Sequence, residues 1–306
     1  MPGFEPAVPN PVRPFDLVPL LEGCSGTIAF QARNRVTGEV VEHRPDLIQP
    51  TASVAKLMVL VETFRRVEEG SVALDEPLGV RAEHRLGGAG VLHLLGRAAA
   101  PSLGDGVLLM IALSDNTATN ALLDRLGGAE VVTHTMRARL GLATLRVNRP
   151  ISFDPLVEAT EPFGVGSPAE LVELVDRIVG ERLWSPAASR AMLAILREQR
   201  HLDQAARYLD AVELEPGPGE LPRCRVAGKT GWDHGLRSDV GVVEFAGGGG
   251  FVYALCTSGC RDRTPGLDHE ASLLHGRIAR QLVLRWWPRE RGPAPVRWGA
   301  GEPAAR

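Results

Sequence analysis

Ser53-Val54-Ala55-Lys56 opens a stretch, residues 53–69, in which Leu57, Leu60, Val61, Phe64 and Val67 recur at spacings of three and four until Gly70 stops it. That period predicts an amphipathic helix carrying a serine and a lysine on one face of its first turn. Just upstream, Gly26-Thr27-Ile28-Ala29-Phe30 and Gly38-Glu39-Val40-Val41-Glu42 are short β-favouring runs with Arg35-Val36-Thr37-Gly38 near their connection, the pattern of a β-hairpin. Downstream, residues 74–207 are mostly helical by period. The run 107–113 stops at Ser114 and the pattern resumes over 119–126 before Gly127-Gly128, so Ser114-Asp115-Asn116 falls in a turn between helices. Residues 150–166 hold Pro150, Pro155 and Pro162 without a clear period and read as a long loop, ahead of a helix opened by Pro168.

Strand character returns after Pro216-Gly217-Pro218-Gly219, in runs at 224–228, 238–245 and 251–257, with Gly247-Gly248-Gly249-Gly250 among the turn segments. A last helix is expected over about 270–287. The expected fold is α/β of the α+β kind, an antiparallel sheet from both chain ends flanked by helices, with an all-helical domain inserted. The boundaries read as a Pro-rich segment at 1–20, a domain at 21–288 and a polar tail at 289–306. Within the domain, 21–70 and 208–288 form the sheet part and 71–207 the helical part.

With 306 residues and 44% apolar content the chain can bury a large core, and a net charge of -3 gives no reason to expect a nucleic-acid partner. Only two of the 34 basic residues are lysines, Lys56 and Lys229. A chain that uses arginine everywhere else keeps lysine where a cation able to lose its proton has a use. No run approaches the roughly 20 apolar residues of a membrane span, and residues 1–14 lack a signal-like apolar run. A cytoplasmic protein is expected, or a secreted or periplasmic one if the sequence is a mature form. Cys24, Cys224, Cys256 and Cys260 are too few for a disulfide scaffold and lack zinc-ligand spacing, so buried thiols, no metal and no cofactor are expected.

Ser53 needs a base within about 2.6–3.2 Å to become a nucleophile, and Lys56 can be that base if burial or a second cation such as Lys229 lowers its pKa. Ser114 can relay a proton, and Asn116 can pair with a substrate amide through both its donor and its acceptor. Lys229-Thr230-Gly231 closes a β-rich run. On an edge strand, Lys229 and Thr230 can face a substrate carboxylate, Gly231 permits close backbone approach, and the Trp232 N–H can complete an oxyanion hole. Arg237 is a second candidate anion-binding group.

Taken together, the three strings match the S-x-x-K, S-D-N and K-T-G elements of serine β-lactamases and penicillin-binding proteins, and the chain resembles a class A type serine β-lactamase or a related penicillin-recognising hydrolase. Gly88-Ala89-Gly90-Val91-Leu92 and Asp115-Asn116-Thr117-Ala118-Thr119-Asn120 are similar to further family segments. The resemblance implies that Ser53 is acylated, Lys56 is its proton partner, Ser114 the relay, Asn116 an amide contact, and Lys229 with Thr230 the carboxylate anchor. It also implies an α/β part plus a helical part with the site between them.

One departure stands out. Class A enzymes carry Glu-x-x-Leu-Asn in the loop before the helix that here begins near Ser167-Pro168, and that Glu activates the deacylating water. Arg149 resembles the arginine that introduces the loop, but Pro150-Ile151-Ser152 follows where the acidic residue would stand. Asp154, Glu158 and Glu161 are the available carboxylates, and Glu158 is taken as the candidate deacylation base.

The expected function is a monomeric serine hydrolase acting through an acyl-enzyme on β-lactams or related amides and esters. Two other readings stay open. One is an intracellular transacylase, esterase or peptidase of small-molecule metabolism, and the other a catalytically inactive β-lactam-binding homologue.

Overall fold

A computed structural model describes residues 15, 17–96, 100–158, 160–211, 223–292 and 294–296. Most of the Pro-rich start, the Pro216–Gly219 turn and the end of the tail lie outside the described residues. The helices are α1 (Val18–Leu21), α2 (Lys56–Glu68), α3 (Leu103–Ala112), α4 (Asn116–Leu126), α5 (Ala129–His134), α6 (Pro155–Glu158), α7 (Pro168–Val179), α8 (Pro186–Leu196) and α9 (Glu270–Trp286). The strands are β1 (Thr27–Asn34), β2 (Val40–His43), β3 (Gln49–Pro50), β4 (Arg146–Val147), β5 (Gly164–Gly166), β6 (Cys224–Asp233), β7 (Leu236–Phe245) and β8 (Gly250–Ser258).

Five strands make an antiparallel sheet in the order β2-β1-β8-β7-β6, so segments from both chain ends meet at the β1–β8 pair, as expected. Side chains alternate across this sheet with the strand period of two. On β8, Phe251, Tyr253 and Leu255 join Leu274, Ile278, Leu282 and Trp286 of α9 in one apolar cluster. Val252, Ala254 and Cys256 belong to a second cluster on the opposite face, with residues of α2, α7 and α8. The five-stranded sheet is thus covered on both faces and β6 forms one of its edges.

Helix α2 is the pivot of the second cluster. Its residues from Lys56 to Phe64 are all buried, and it packs against α3, α4, α5 and α8. A helix enclosed on every side can hold a charged side chain such as Lys56 away from water only where partners satisfy it. Helix α7 belongs by position to the helical stretch 71–207, yet it packs on β1, β7 and β8. The segment expected as a loop at 150–166 contains α6 and ends in β5, which pairs with both β3 and β4.

The structure lengthens the strand that carries Lys229-Thr230-Gly231. β6 runs on to Asp233, and its turn into β7 falls at His234-Gly235, where Gly235 takes a φ of 71°. Gly228 lies opposite Gly241 on β7, and a Cβ on either would fall 2.3 Å from a carbonyl oxygen of the other strand. The glycines that weaken the strand pattern in sequence are the residues that let these strands pair closely.

Candidate active site

Ser53 lies in a 3-10 turn, Ala52–Ala55, that leads into α2, where the sequence predicted one continuous helix. Residues three apart eclipse one another in this geometry, which sets Ser53 and Lys56 on the same side. Ala52 holds a φ of 45°, a left-handed conformation for a residue with a side chain. Ser114, between α3 and α4, holds a φ of 56°. Such residues cost on the order of 1–3 kcal/mol each and persist where their surroundings over-determine them. At Ser114 the surroundings include Lys56, whose Nζ donates to its carbonyl oxygen at 2.6 Å and its hydroxyl at 3.0 Å.

The third donor of Lys56 goes to Asn116 Oδ1 at 2.9 Å. The fully buried ammonium therefore spends all three N–H groups on the S-D-N turn. The Ser53 hydroxyl makes no hydrogen bond to any described residue. Burial and, second, the positive charge of Lys229 hold the Lys56 pKa well below the ordinary lysine value, against a smaller upward pull from Asp115. A neutral Lys56 amine gives up one of these bonds and frees a lone pair, which is what a base for Ser53 requires.

Asp115 braces the turn. One carboxylate oxygen accepts from Ala118 N at 2.9 Å at the start of α4, and the other accepts from Val91 N at 2.6 Å and Leu92 N at 2.8 Å. The Gly88–Leu92 segment is thereby fastened beside the site. Asn116 Nδ2 donates to Gly87 O at 2.9 Å, so Asn116 links this segment to Lys56 while keeping one amide hydrogen for a ligand.

Strand β6 closes the other side. A Cβ at Gly231 would lie 2.5 Å from Thr51 O and 3.0 Å from both Ser53 N and Val54 N, so only glycine lets the strand approach the Ser53 turn this closely. Lys229 is fully buried and donates to Thr230 O at 2.7 Å. Burial lowers its pKa to about 7, against upward pulls from Asp239 and Asp203. Asp239, opposite Thr230 on β7, is pushed up to about 7 by burial, with Ala205 N and the Tyr253 hydroxyl donating to it. Trp232, next along β6, is 47% exposed and covers Arg237. The Arg237 guanidinium is buried and donates to the carbonyl oxygens of Asp233, Leu236 and Thr264. It supports the β6–β7 turn, with its fork occupied by main chain.

Several supporting residues lie outside the sequence-derived set. Gln204 Nε2 donates to Gly231 O at 3.2 Å, and its Oε1 accepts from His275 Nδ1 at 3.0 Å. The buried His275 ring, its pKa lowered to about 3 by burial, is neutral and accepts the Thr257 hydroxyl at Nε2 at 2.9 Å. This tautomer follows from the partners, since Gln204 Oε1 can only accept. The chain ties the strand at Gly231 to α9 and β8, and nothing in the local sequence around Gln204 signals it.

Asn120 sits one helical turn beyond Asn116, and that i, i+4 spacing is the signal by which it could have been found. Its Oδ1 accepts from Ile151 N at 2.9 Å and its Nδ2 donates to Ile151 O at 3.0 Å. The clamp holds Ile151 beside the helix that carries Asn116, with the isoleucine side chain packed on the core. Glu158, at the end of α6, is exposed, as are Asp154 and Glu161, and no site residue hydrogen-bonds to its carboxylate. From the same loop, Phe153 is 52% exposed and its ring lies over Gly88, where a Cβ would meet the ring at 2.5 Å and Asn116 Nδ2 at 3.2 Å. Ser53, Lys56, Ser114, Asn116, Lys229, Thr230 and Gly231 are thus brought together, while Glu158 stands apart. Among the described residues no cluster of His, Cys, Asp and Glu suits a metal ion, and no helix is long and apolar enough to cross a membrane.

A family model described as the Beta-lactamase enzyme family matches residues 16–286. Among curated proteins the chain is similar to the Beta-lactamase regulatory protein BlaB of Streptomyces cacaoi, 27% identical over 299 residues that cover 85% of this chain and 94% of that one. Among solved structures, a beta-lactamase from Sphaerobacter thermophilus superposes with a TM-score of 0.74 at 29% identity, covering 87% of this chain and 96% of that one. A point mutant of PBP-A, solved as an acyl-enzyme complex with penicillin G, superposes with a TM-score of 0.71 at 28% identity, covering 87% and 91%.

Proposed function

The chain belongs to the beta-lactamase enzyme family, and on that premise we propose that it opens β-lactam rings by acylating Ser53 and releases the product slowly. The Ser53 hydroxyl loses its proton to neutral Lys56 as its oxygen bonds to the lactam carbonyl carbon. The ring C–N bond then breaks and the nitrogen takes a proton returned through Lys56 and Ser114. Lys229 and Thr230 hold the substrate carboxylate, and the N–H groups of Ser53 and Trp232 serve the carbonyl oxygen.

The observation that carries this reading is the enclosed Lys56, bonded to Ser114 and Asn116 and pulled down by burial and Lys229. Slow release is supported by the aliphatic side chain at Ile151, where the family has its water-activating Glu. Glu158 is the remaining candidate for that task and would need the loop to fold inward to reach the ester.

Nitrocefin turnover combined with intact mass spectrometry tests the proposal. The expected result is one acyl group per chain on Ser53 with a rate that decays after the first equivalent. Sustained fast turnover would overturn slow release, and no adduct from any penicillin, cephalosporin or activated ester would overturn the acyl-enzyme itself. The uncatalysed release step also favours a second reading, transfer of the acyl group to an amine or alcohol, which added acceptors would reveal by speeding the loss of the adduct.

A further inference from the structure

Two of the four cysteines sit together, far from Ser53 in chemical role. Cys24 precedes β1 and Cys260 follows β8, and the pairing of Thr27 with Ser258 carries both chain segments past the end of the sheet side by side. Arg261 N donates to Ser25 Oγ at 2.8 Å, and Glu270 of α9 accepts from Ser25 N and Ser25 Oγ at 2.7 Å each, which fixes the two segments to one another. The Cys260 side chain fills the space above Gly26, where a Cβ would lie 2.6 Å from its Sγ. From there it lies close enough to the Cys24 thiol that each thiol shifts the pKa of the other. Both are free thiols, and Cys24 is the more accessible. Cys224 and Cys256 are buried in the two apolar clusters.

We propose that Cys24 and Cys260 form an oxidation site that closes to an intramolecular cystine by exchange with a small disulfide such as oxidised glutathione. The Cys24 thiolate attacks one sulfur of the disulfide, whose S–S bond breaks and releases one glutathione thiolate. Cys260 then gives up its proton and attacks Cys24 Sγ, and the second glutathione leaves. Two protein thiols are oxidised to one cystine while one glutathione disulfide is reduced to two thiols.

The two thiols are unequal in the way this order requires. The neighbouring Cys260 thiol outweighs burial and holds the Cys24 pKa below the usual thiol value. The same proximity, with burial second, pushes Cys260 up. Capping Cys24 with glutathione removes the neighbour that raises Cys260 and so releases the resolving thiol. Cys256, pushed up to about 12 by burial, has no comparable route to reaction.

The bond would close a loop from residue 24 to residue 260 of the 306-residue chain. Cys260 N also donates to Gly235 O at 3.0 Å in the β6–β7 turn, and Thr264 O receives Arg237, so the tethered loop is the one that supports the Lys229 hairpin.

The test is to incubate the folded full-length chain with oxidised glutathione, then denature it, alkylate and weigh it, and map the peptides. The expected product has lost two hydrogens, takes two alkyl groups where the reduced chain takes four, and yields a peptide joining Cys24 to Cys260. Cys260→Ser is expected to halt at a glutathione adduct on Cys24, and Cys24→Ser to stay unmodified. The oxidised wild-type chain is expected to melt several degrees higher than the reduced one, a gain absent from either variant. A persistent glutathione adduct on the wild-type chain, a cystine using Cys224 or Cys256, or an unchanged four-thiol count would each overturn the proposal. Because the readout is mass and not turnover, the outcome is independent of what happens at Ser53.

Discussion

The surroundings of Ser53 are drawn on one side from the core and on the other from a loop. On the core side, Lys56 and Lys229 are completely enclosed, and the groups around them come from a helix, a turn between helices and a sheet edge. On the loop side, Asp154, Glu158 and Glu161 face solvent, and the residue clamped beside α4 is Ile151. On the proposed mechanism the contrast separates the two halves of an acyl-transfer cycle. Forming the ester would draw on lysines shifted by burial, which a packed interior provides, whereas breaking it would need a general base beside the ester, and the carboxylates of the loop face solvent instead.

The largest expected effect removes the proposed nucleophile. Ser53→Ala should abolish the acyl adduct, a loss of about 10⁴ or more in acylation rate, read by mass after incubation with penicillin. Lys56→Met should keep the fold and slow acylation by about 10²–10⁴, the usual worth of a positioned base, measured by stopped-flow with nitrocefin. Ile151→Glu is the variant aimed at the contrast. It should leave acylation nearly unchanged and speed deacylation by about 10²-fold or more, turning a stoichiometric burst into steady turnover. An unaltered deacylation rate in this variant would show that the identity of residue 151 does not limit release.

A subtler effect comes from pH. Burial lowers the Lys229 pKa to about 7, so its positive charge is expected to be lost as pH rises through that value. Acylation by a carboxylate-bearing β-lactam should therefore fall as pH rises through that value, by up to about tenfold per unit, while a neutral activated ester should show no such decline. The smallest expected effect concerns Phe153 and its ring over Gly88 and Asn116. Phe153→Ala should reduce the preference for penicillins with an aromatic acyl group by about two- to tenfold, the scale of one aromatic contact, with 6-aminopenicillanic acid little affected.

How far the sequence carried these conclusions depended on distance along the chain. Ser53 and Lys56 announce themselves by local spacing, Ser114-Asp115-Asn116 by interrupting a helical period, and the two lysines by their scarcity. The extension of β6 through Gly231 to Asp233 was hidden, because Gly228 and Gly231 depress β character and their purpose lies in contacts with Gly241 and with the Ser53 turn. The 3-10 form of residues 52–55 was hidden for a similar reason, since the apolar spacing of α2 continues through it. The Gln204–His275–Thr257 chain joins residues 71 and 18 positions apart through single polar contacts, which leave no pattern in any window. Arg237 illustrates the opposite difficulty. Its guanidinium chemistry suits a carboxylate, but in the folded chain three carbonyl oxygens occupy it.

The Asn120 clamp grips Ile151 by its amide N–H and carbonyl alone, and so reads the main chain while ignoring what hangs from it. Any non-proline residue at 151 can offer the same two groups, so the position of the loop and the chemistry it presents are inherited separately. The main-chain anchor of the loop therefore does not depend on an isoleucine at 151, and on the proposed mechanism the step from capturing an acyl group to discarding it would be the exchange of that one side chain.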